Sequence, residues 1–386
     1  MVIAGFALSA LGVVRSLARH GIRCWVLSRN ARNLALATRF ATSRLVASLD
    51  ADSLAAHLRE IADRAGAAPV ILPTEDLLVR LLSENRRTLG YGLSGLLPDA
   101  DVLDRLMDKA ALGPCFTRAG IGVPRTVTVS VTDNPAPLEG LHYPAILKPG
   151  TKPPGFLRRF RKAYIVHSAA EALELMRKMS VLVPRAVVQE YIPGPDTEIF
   201  FCLAVAERGG RLVRSFVGRK LASWPVGTGN TVACVPAPAD VAERIRALTE
   251  CFFRANGFFG IGSVEFKRAP SGEIFGIEPT VCRVNAQSEI AVLNGVDLPL
   301  AWYAFATGQD APPPREVPPR GWLDPLLRAH LAMAGGWKPP PKGLPPLHDA
   351  LWRWTDPGPW LAYHRRRWRH APRALCRHLR RFPGRP

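Results

Sequence analysis

An open parallel α/β sheet over the first hundred residues, followed by a strand-rich α+β region, is the fold class that this sequence predicts. Three observations predict it. Strands and helices alternate from residue 2 to 89, closely spaced strands replace that alternation after 143, and proline takes over after about 309.

The elements follow in order. VIAGF reads as a first strand, the segment carrying Leu11, Val14, Arg15, Leu17 and Ala18 as a helix, and RCWVLS as a second strand. A helix near 51–65, the strand PVILPT and a helix over 76–89 repeat the unit. Ligands of such sheets sit at the carboxyl ends of the strands, where Gly5, Ser28, Thr74, Glu75 and Asp76 fall. Residues 101–120 read as one helix, and GIGVPRTVTV as a turn into a strand. The strands YPAILKPG, AYIVHS, AVVQEYI, EIFFCLAV and RLVRSFVGRKL come next, then an amphipathic helix over 240–256 that Gly257 ends. After 309 the runs APPPREVPP and KPPPKGLPP predict that regular structure thins out. The expected units are 1–100, 101–310 and a Pro- and Arg-rich extension over 311–386.

Composition narrows the function. With 386 residues, 47% of them hydrophobic, the chain can build two or three packed domains. The longest early apolar run stops at Arg15 after 13 residues with no basic segment ahead of it, which fits neither a membrane span nor a secretory signal. The expected location is the cytoplasm. Seven scattered cysteines without a C-x-x-C pair read as reduced thiols, Cys282 being a small buried residue rather than a nucleophile. Residues 315–386 carry 15 Lys and Arg against 4 acids, so +11 of the net +19 belongs to that end. Specific nucleic-acid binding by the body is therefore not expected. Arg outnumbers Lys 42 to 9, so a lysine kept at a strand end suggests a phosphate contact.

The chemistry concentrates in VEFKRAPSGEIFGIEPTVCRVN. Its SGE turn joins two alternating runs that point Glu265 and Glu278 to one face of a hairpin, at what reads as two adjacent strand ends. Followed by Arg283 and Asn285, they form a bed for a hard divalent ion and the phosphates it carries. Solvated acids on a surface hairpin are the alternative. Lys148, closing YPAILK, suits a phosphate point charge or a solvated strand terminus, and Lys109, in the helical stretch LMDKAAL, has the same two readings. In VVQEYIPGPDTEIFF, Glu190 and Tyr191 end a buried strand, a Pro-Gly turn follows, and Glu198 opens the next strand. That break could read an adenine edge with Glu198 accepting from ribose, or be a plain turn with surface acids.

Taken in order, Lys148, QEYIPG with Glu198, RSFVGRKLASWPVGTG, VEFK and EPTVCRVNAQSEIAVLNGVDLP resemble the ATP-grasp superfamily of ATP-dependent carboxylate-amine ligases. The nearest likeness is to carbamoyl-phosphate-synthase large-chain and D-aspartate-ligase-like proteins, over roughly residues 2–308. The resemblance implies a Rossmann-like preATP-grasp domain, then an ATP-grasp domain of two α+β lobes, with ATP and Mg2+ (or Mn2+) as cofactors. It implies that Lys109 and Lys148 contact phosphates, that Glu190, Tyr191 and Ile192 read adenine, and that Glu198 accepts from ribose. Glu265 and Glu278 become metal ligands, Arg283 the cation on the transferred phosphoryl group, and Arg219 or Lys220 a further contact. Two departures stand out. The family's usual Glu-x-Asn-Pro-Arg is replaced by Glu278, Pro279 and Thr280, with Asn285 further on, and the phosphate-covering loop KPGTKPPGFLRRFRKAY carries Arg158, Arg159, Arg161 and Lys162 in place of glycines.

The implied reaction is activation of a carboxylate as an acyl phosphate and its capture by an amine; Arg283, Asn285, Gln287 and Glu289 read equally as contacts to those substrates or as local caps and turns around the next helix. A nicotinamide-dependent oxidoreductase is the first rival, weakened because Gly5 and Gly12 lie seven apart and form no G-x-G-x-x-G. A nonenzymatic basic binding protein is the second, resting on charge alone. Relatives of this kind are often homodimers. The last 26 residues hold nine Arg and no acid, with positions 375, 379 and 382 on one apolar helical face, a pattern for docking on anionic lipid or a polyanionic acceptor or for a solvated end.

Overall fold

The computed structural model describes residues 1–5, 7–90, 96–130, 136–150, 156–161 and 163–367. Strands β1 (Val2–Ala4), β2 (Trp25–Ser28), β3 (Thr42–Leu45) and β4 (Ile71–Pro73) form a parallel sheet in the order β3-β2-β1-β4. Helices Ala7–Ala18 and Ala51–Ala65 pack against it, the second started by the Asp50 carboxylate on the Ser53 N–H and ended by Gly66 in the left-handed region. The predicted parallel α/β start is therefore present, with one strand more than the sequence reading found. β3 escaped because TSRL has no apolar alternation and is half exposed at the sheet edge.

A second sheet is antiparallel and four-stranded: β5 (Thr126–Ser130), β8 (Arg185–Glu190), β6 (Ala145–Pro149) and β7 (Tyr164–Val166), in that order, with helix Ala169–Met179 on one face. The third sheet orders seven strands as β13-β12-β9-β10-β11-β14-β15. They are β9 (Ile199–Ala206), β10 (Leu212–Trp224), β11 (Asn230–Pro236), β12 (Gly260–Arg268), β13 (Ile274–Val281), β14 (Gly321–Leu323) and β15 (Leu347–Asp349).

Why IFFCLAVA is apolar without alternation follows from where β9 sits. Phe200, Cys202, Ala204 and Ala206 enter a core shared with Phe252, Phe253 and Phe258, while Phe201, Leu203 and Val205 enter a second core with Ile3, Leu11 and Trp302. Both faces of the sheet are covered, so both parities must be hydrophobic. Each Phe, Leu or Val buried in this way is worth about 2 kcal/mol relative to exposure. Helix Ala239–Asn256 supplies much of the first core and ends, as read, at Gly257 with φ 69°.

Three expectations need correction. The helix read over 101–120 is two, Ala100–Met107 and Leu112–Arg118, and Lys109 lies in the turn between them. A continuous helix would need an N–H from Pro114, which has none, whereas Pro114 fits the first turn of a new helix. Asp108 secures the break by accepting from the Ala110 N–H at 3.0 Å. Glu265 and Glu278 stand inside β12 and β13 rather than at their ends. Finally, regular structure is absent over 309–320 but returns with β14, helix Pro325–Met333, β15 and a helix over 358–367.

The returning segment is tied to the beginning of the chain. Arg15, 4% exposed, donates to the Asp356 carboxylate at 2.9 Å and to the carbonyls of Ala350 and Leu351 at 2.8 and 2.9 Å. Asp356, fully buried, also accepts from the Thr38 hydroxyl and the Arg39 N–H. No described helix is long and apolar enough to cross a membrane. The helical face read over 375–382 lies outside the described residues.

Candidate active site

Glu265 and Glu278 are direct cross-strand partners in the β12–β13 register, and a β-bulge follows immediately after Glu265. Period-2 alternation puts Ser263 and Lys267 on the same face as Glu265. Gly276 lets the hairpin lie close to helix Leu112–Arg118, because a Cβ there would come within 2.3 Å of the Phe116 ring. The hairpin faces a cavity of about 400 Å³ walled on its other sides by β6 and β8, by the turn after β8, and by the carboxyl end of β4.

Four of the nine lysines line this cavity: Lys109, Lys148, Lys220 and Lys267. Lys109 Nζ lies 2.7 Å from Glu278 Oε1, and Lys220 Nζ lies 2.7 Å from Glu265 Oε2. Each carboxylate is thus paired with an ammonium, but the two pairs differ in burial. The Lys220 and Glu265 side chains are 4% and 27% exposed, those of Lys109 and Glu278 14% and 37%. Lys148 Nζ donates to Gln189 Oε1 at 3.2 Å. Lys267 stands over the Tyr191 ring, 4.4 Å from its centroid, and within 3.4 Å of its hydroxyl. Burial pushes the Lys267 ammonium below its ordinary pKa, against the opposing pull of Asp196 and Glu198. Burial likewise raises the Tyr191 phenol.

Sequence reasoning missed Lys267, although the signal was available: it lies two residues after Glu265 on an alternating strand in a lysine-poor chain. It also missed Gln189 and Ser263, which carry no charge and stand out only once the strands are paired.

The remaining candidates fall as follows. Glu190, Tyr191 and Ile192 line the cavity, the Glu190 side chain also accepting from the His142 N–H at 2.9 Å. Glu198 is not among the lining residues; it accepts from Arg268 Nε at 2.7 Å just before β9. Arg283 lines the cavity and is paired through Nε with Asp76. Asn285 donates from Nδ2 to Ser263 Oγ at 3.0 Å, while its Oδ1 is buried with no hydrogen-bond partner. Gln287 lines the cavity and Glu289 does not, being turned toward Arg353 at 2.7 Å. Arg219 is absent from the lining. Cys282 is buried at φ 55° with its thiol pushed well up by burial, which suits a packing residue rather than a nucleophile. Lys162 and the loop 151–155 lie outside the described residues, as does the side chain of Arg158.

The wall from the parallel sheet adds Ser9, Thr74, Glu75 and Asp76. Gly5, at φ 115°, allows this: a Cβ would sit 2.6 Å from Thr74 Oγ1 and 3.0 Å from Glu75 Cγ. Burial raises the Glu75 carboxyl above its ordinary pKa, with Arg29 pulling it down and Asp76 adding to the rise.

A divalent cation fits this donor set. Two carboxylates face one another from adjacent strands, and the partnerless Asn285 Oδ1 supplies a third hard oxygen. Among the described residues no group of three His, Cys, Asp or Glu could hold a metal alone, so further ligands would come from phosphate oxygens.

No protein-family model matches the chain, and no curated protein sequence matches it. Solved structures do. An ADP complex of N5-carboxyaminoimidazole ribonucleotide synthetase superposes with a TM-score of 0.61 at 14% identity, over 82% of this chain and 79% of that one. The enzyme of the same name from Thermus thermophilus gives 0.60 at 18%, over 83% and 81%. Biotin carboxylase from Campylobacter jejuni, solved with a βγ-ATP ligand, gives 0.59 at 17%, over 81% and 72%. The chain therefore has the ATP-grasp fold: a parallel N-terminal sheet followed by an antiparallel sheet and a largely antiparallel one, with the cavity lined from all three.

Proposed function

We propose that the protein is an ATP- and magnesium-dependent ligase that activates a carboxylate as an acyl phosphate and joins it to an amine. The observation that carries this reading is the in-register pair Glu265 and Glu278, each holding a lysine, in a cavity that Lys148 and Lys267 also line. The lining also carries Glu75, Asp76, Glu190 and Arg283, so what suits a triphosphate and its metal is not net charge but the gathering of ammonium groups about the facing Glu265 and Glu278.

In this reading Glu265, Glu278 and Asn285 hold magnesium, which supplies charge neutralisation to the phosphate oxygens. Lys109 and Lys220 turn from their carboxylates to phosphate when the nucleotide enters. The turn at Glu190, Tyr191 and Ile192 takes the adenine, and Lys267, held against Tyr191, joins that wall to the phosphates. A substrate carboxylate oxygen attacks the γ-phosphorus and ADP leaves; the amine nitrogen then attacks the carbonyl carbon, phosphate leaves, and the nitrogen loses a proton. Arg283, oriented by Asp76, faces the carboxylate and the transferred group. Burial makes the Glu75 carboxylate more basic than an ordinary one, and in this reading it receives the amine proton. Positioning and charge supply the catalysis, with no side-chain nucleophile.

The test is magnesium-dependent ADP release across a panel of carboxylates, bicarbonate included, each with and without an amine. Release that requires both partners is expected. Release indifferent to any carboxylate, or no nucleotide binding at all, overturns the reading.

A further inference from the structure

Far from the cavity residues in sequence, Trp354 is 86% exposed, the most exposed aromatic among the described residues' large hydrophobics. It is not on a loose loop. Arg353 beside it is paired with the buried Glu289, and Asp356 two residues on is the buried partner of Arg15. Two anchored residues thus fix a turn whose tip is a tryptophan in water.

The exposed ring belongs to a contiguous aromatic cluster. Trp352 meets Trp354 edge-on at 4.9 Å and Trp360 edge-on at 5.2 Å, Trp360 contacts His364 at 4.0 Å, and Tyr363 packs on His364 at 5.0 Å. Leu361, 47% exposed, lies on the same helix over 358–367. The last described residues of that helix are Arg365, Arg366 and Arg367. Arg366 ties it to the body through the carbonyls of Ala31 and Arg32, while Arg365 and Arg367 are exposed. Six more arginines and no acid follow to the end of the sequence.

We propose that the Trp352, Trp354 and Trp360 cluster, with Arg365 and Arg367, docks the protein on an anionic lipid bilayer. Tryptophan rings are favoured at the headgroup level, where one end is apolar and the other wet, and arginines beside them face the anionic headgroups. The exposed Leu361 fits a bilayer and has no role against a soluble polyanion. Edge-on packing of the tryptophans also leaves them poorly arranged as a stack for successive bases. Docking there would place the carboxylate-amine chemistry beside a membrane-borne substrate, but the surface stands independently of that chemistry.

Co-sedimentation of the full-length protein with phosphatidylcholine vesicles, with and without phosphatidylglycerol, tests this. Pelleting is expected only with the anionic vesicles. Trp354→Ala should weaken it about tenfold, and Arg365→Gln with Arg367→Gln about twenty-five-fold, both with unchanged circular dichroism because these side chains are exposed. Three results overturn the proposal: no pelleting with either vesicle, equal pelleting of wild type and Trp354→Ala, or displacement from vesicles by a single-stranded oligonucleotide that binds wild type more tightly. None of them bears on nucleotide turnover, so the ligase reading is tested separately.

Discussion

Removing either cavity carboxylate should abolish turnover, yet the two removals should differ in what they do to the fold. Glu265 is the partner of an ammonium that is 3% exposed, and Lys267, 5% exposed, stands nearby and repels Lys220. At 2.7 Å and an effective dielectric near 20 the gross attraction is about 6 kcal/mol, most of it offset by desolvation. Glu265→Gln removes the attraction and leaves the desolvation, so it should cost about 3 kcal/mol, the lower end for breaking a buried pair. Glu278 keeps 37% of its side-chain surface against 27% for Glu265, and Lys109 14% against 4% for Lys220, so solvent screening should hold the loss for Glu278→Gln to about 1 kcal/mol. The difference of about 2 kcal/mol corresponds to a melting temperature lower by about 2–3 °C for Glu265→Gln in a chain of this size. Differential scanning fluorimetry without nucleotide, at constant pH and salt, reads it directly. Adding Lys220→Met to Glu265→Gln should restore most of the loss. Equal melting temperatures for the two Gln variants, or no recovery in the double variant, would refute the assignment of burial and pairing at this site.

Other expectations follow from the same reasoning. Arg15→Met leaves the fully buried Asp356 without its cation and should cost about 3–5 kcal/mol, measured by urea unfolding; an unchanged midpoint would count against the tie between the two ends of the chain. Gly276→Ala drives a methyl into the Phe116 ring and should cost about 1–3 kcal/mol, lowering the melting temperature even if the hairpin survives. Burial raises Asp324 to about 6 from 3.8. The folded state therefore binds more protons than the unfolded state between those values, and stability falls as pH rises from about 4 to 6. Asp324→Asn, which can still cap the Leu326 and Leu327 N–H groups, should flatten that pH dependence; a slope that persists in the variant would show that other groups cause it.

How much of this was legible beforehand depended on whether a residue's neighbours were close in sequence. The parallel start, the helix over 51–65 and the helix ended by Gly257 were readable because caps and periodicity are local. The hairpin turn placed Glu265 and Glu278 on one face, and the register then set them directly opposite. What could not be read depends on distant partners. The late strands β14 and β15 join a sheet begun over a hundred residues earlier at β9, and the proline runs after residue 309 mimic the end of a fold. The Lys109 turn was hidden because LMDKAAL has helical composition while Pro114 sets the break. Glu198 stands just before β9, where the resemblance expects a ribose acceptor, and its pairing with Arg268, seventy residues on, is another contact that no local pattern shows.

The central claim is that Glu265 and Glu278 together grip a divalent ion on a bound nucleotide. A crystal grown with manganese and a nonhydrolysable ATP analogue, examined by anomalous diffraction, addresses it most directly. A manganese peak about 2.1 Å from an oxygen of each carboxylate, with Lys109 and Lys220 moved onto phosphate oxygens, is the predicted result. A peak elsewhere, with both lysines still on their glutamates and the triphosphate clear of the hairpin, would contradict the account.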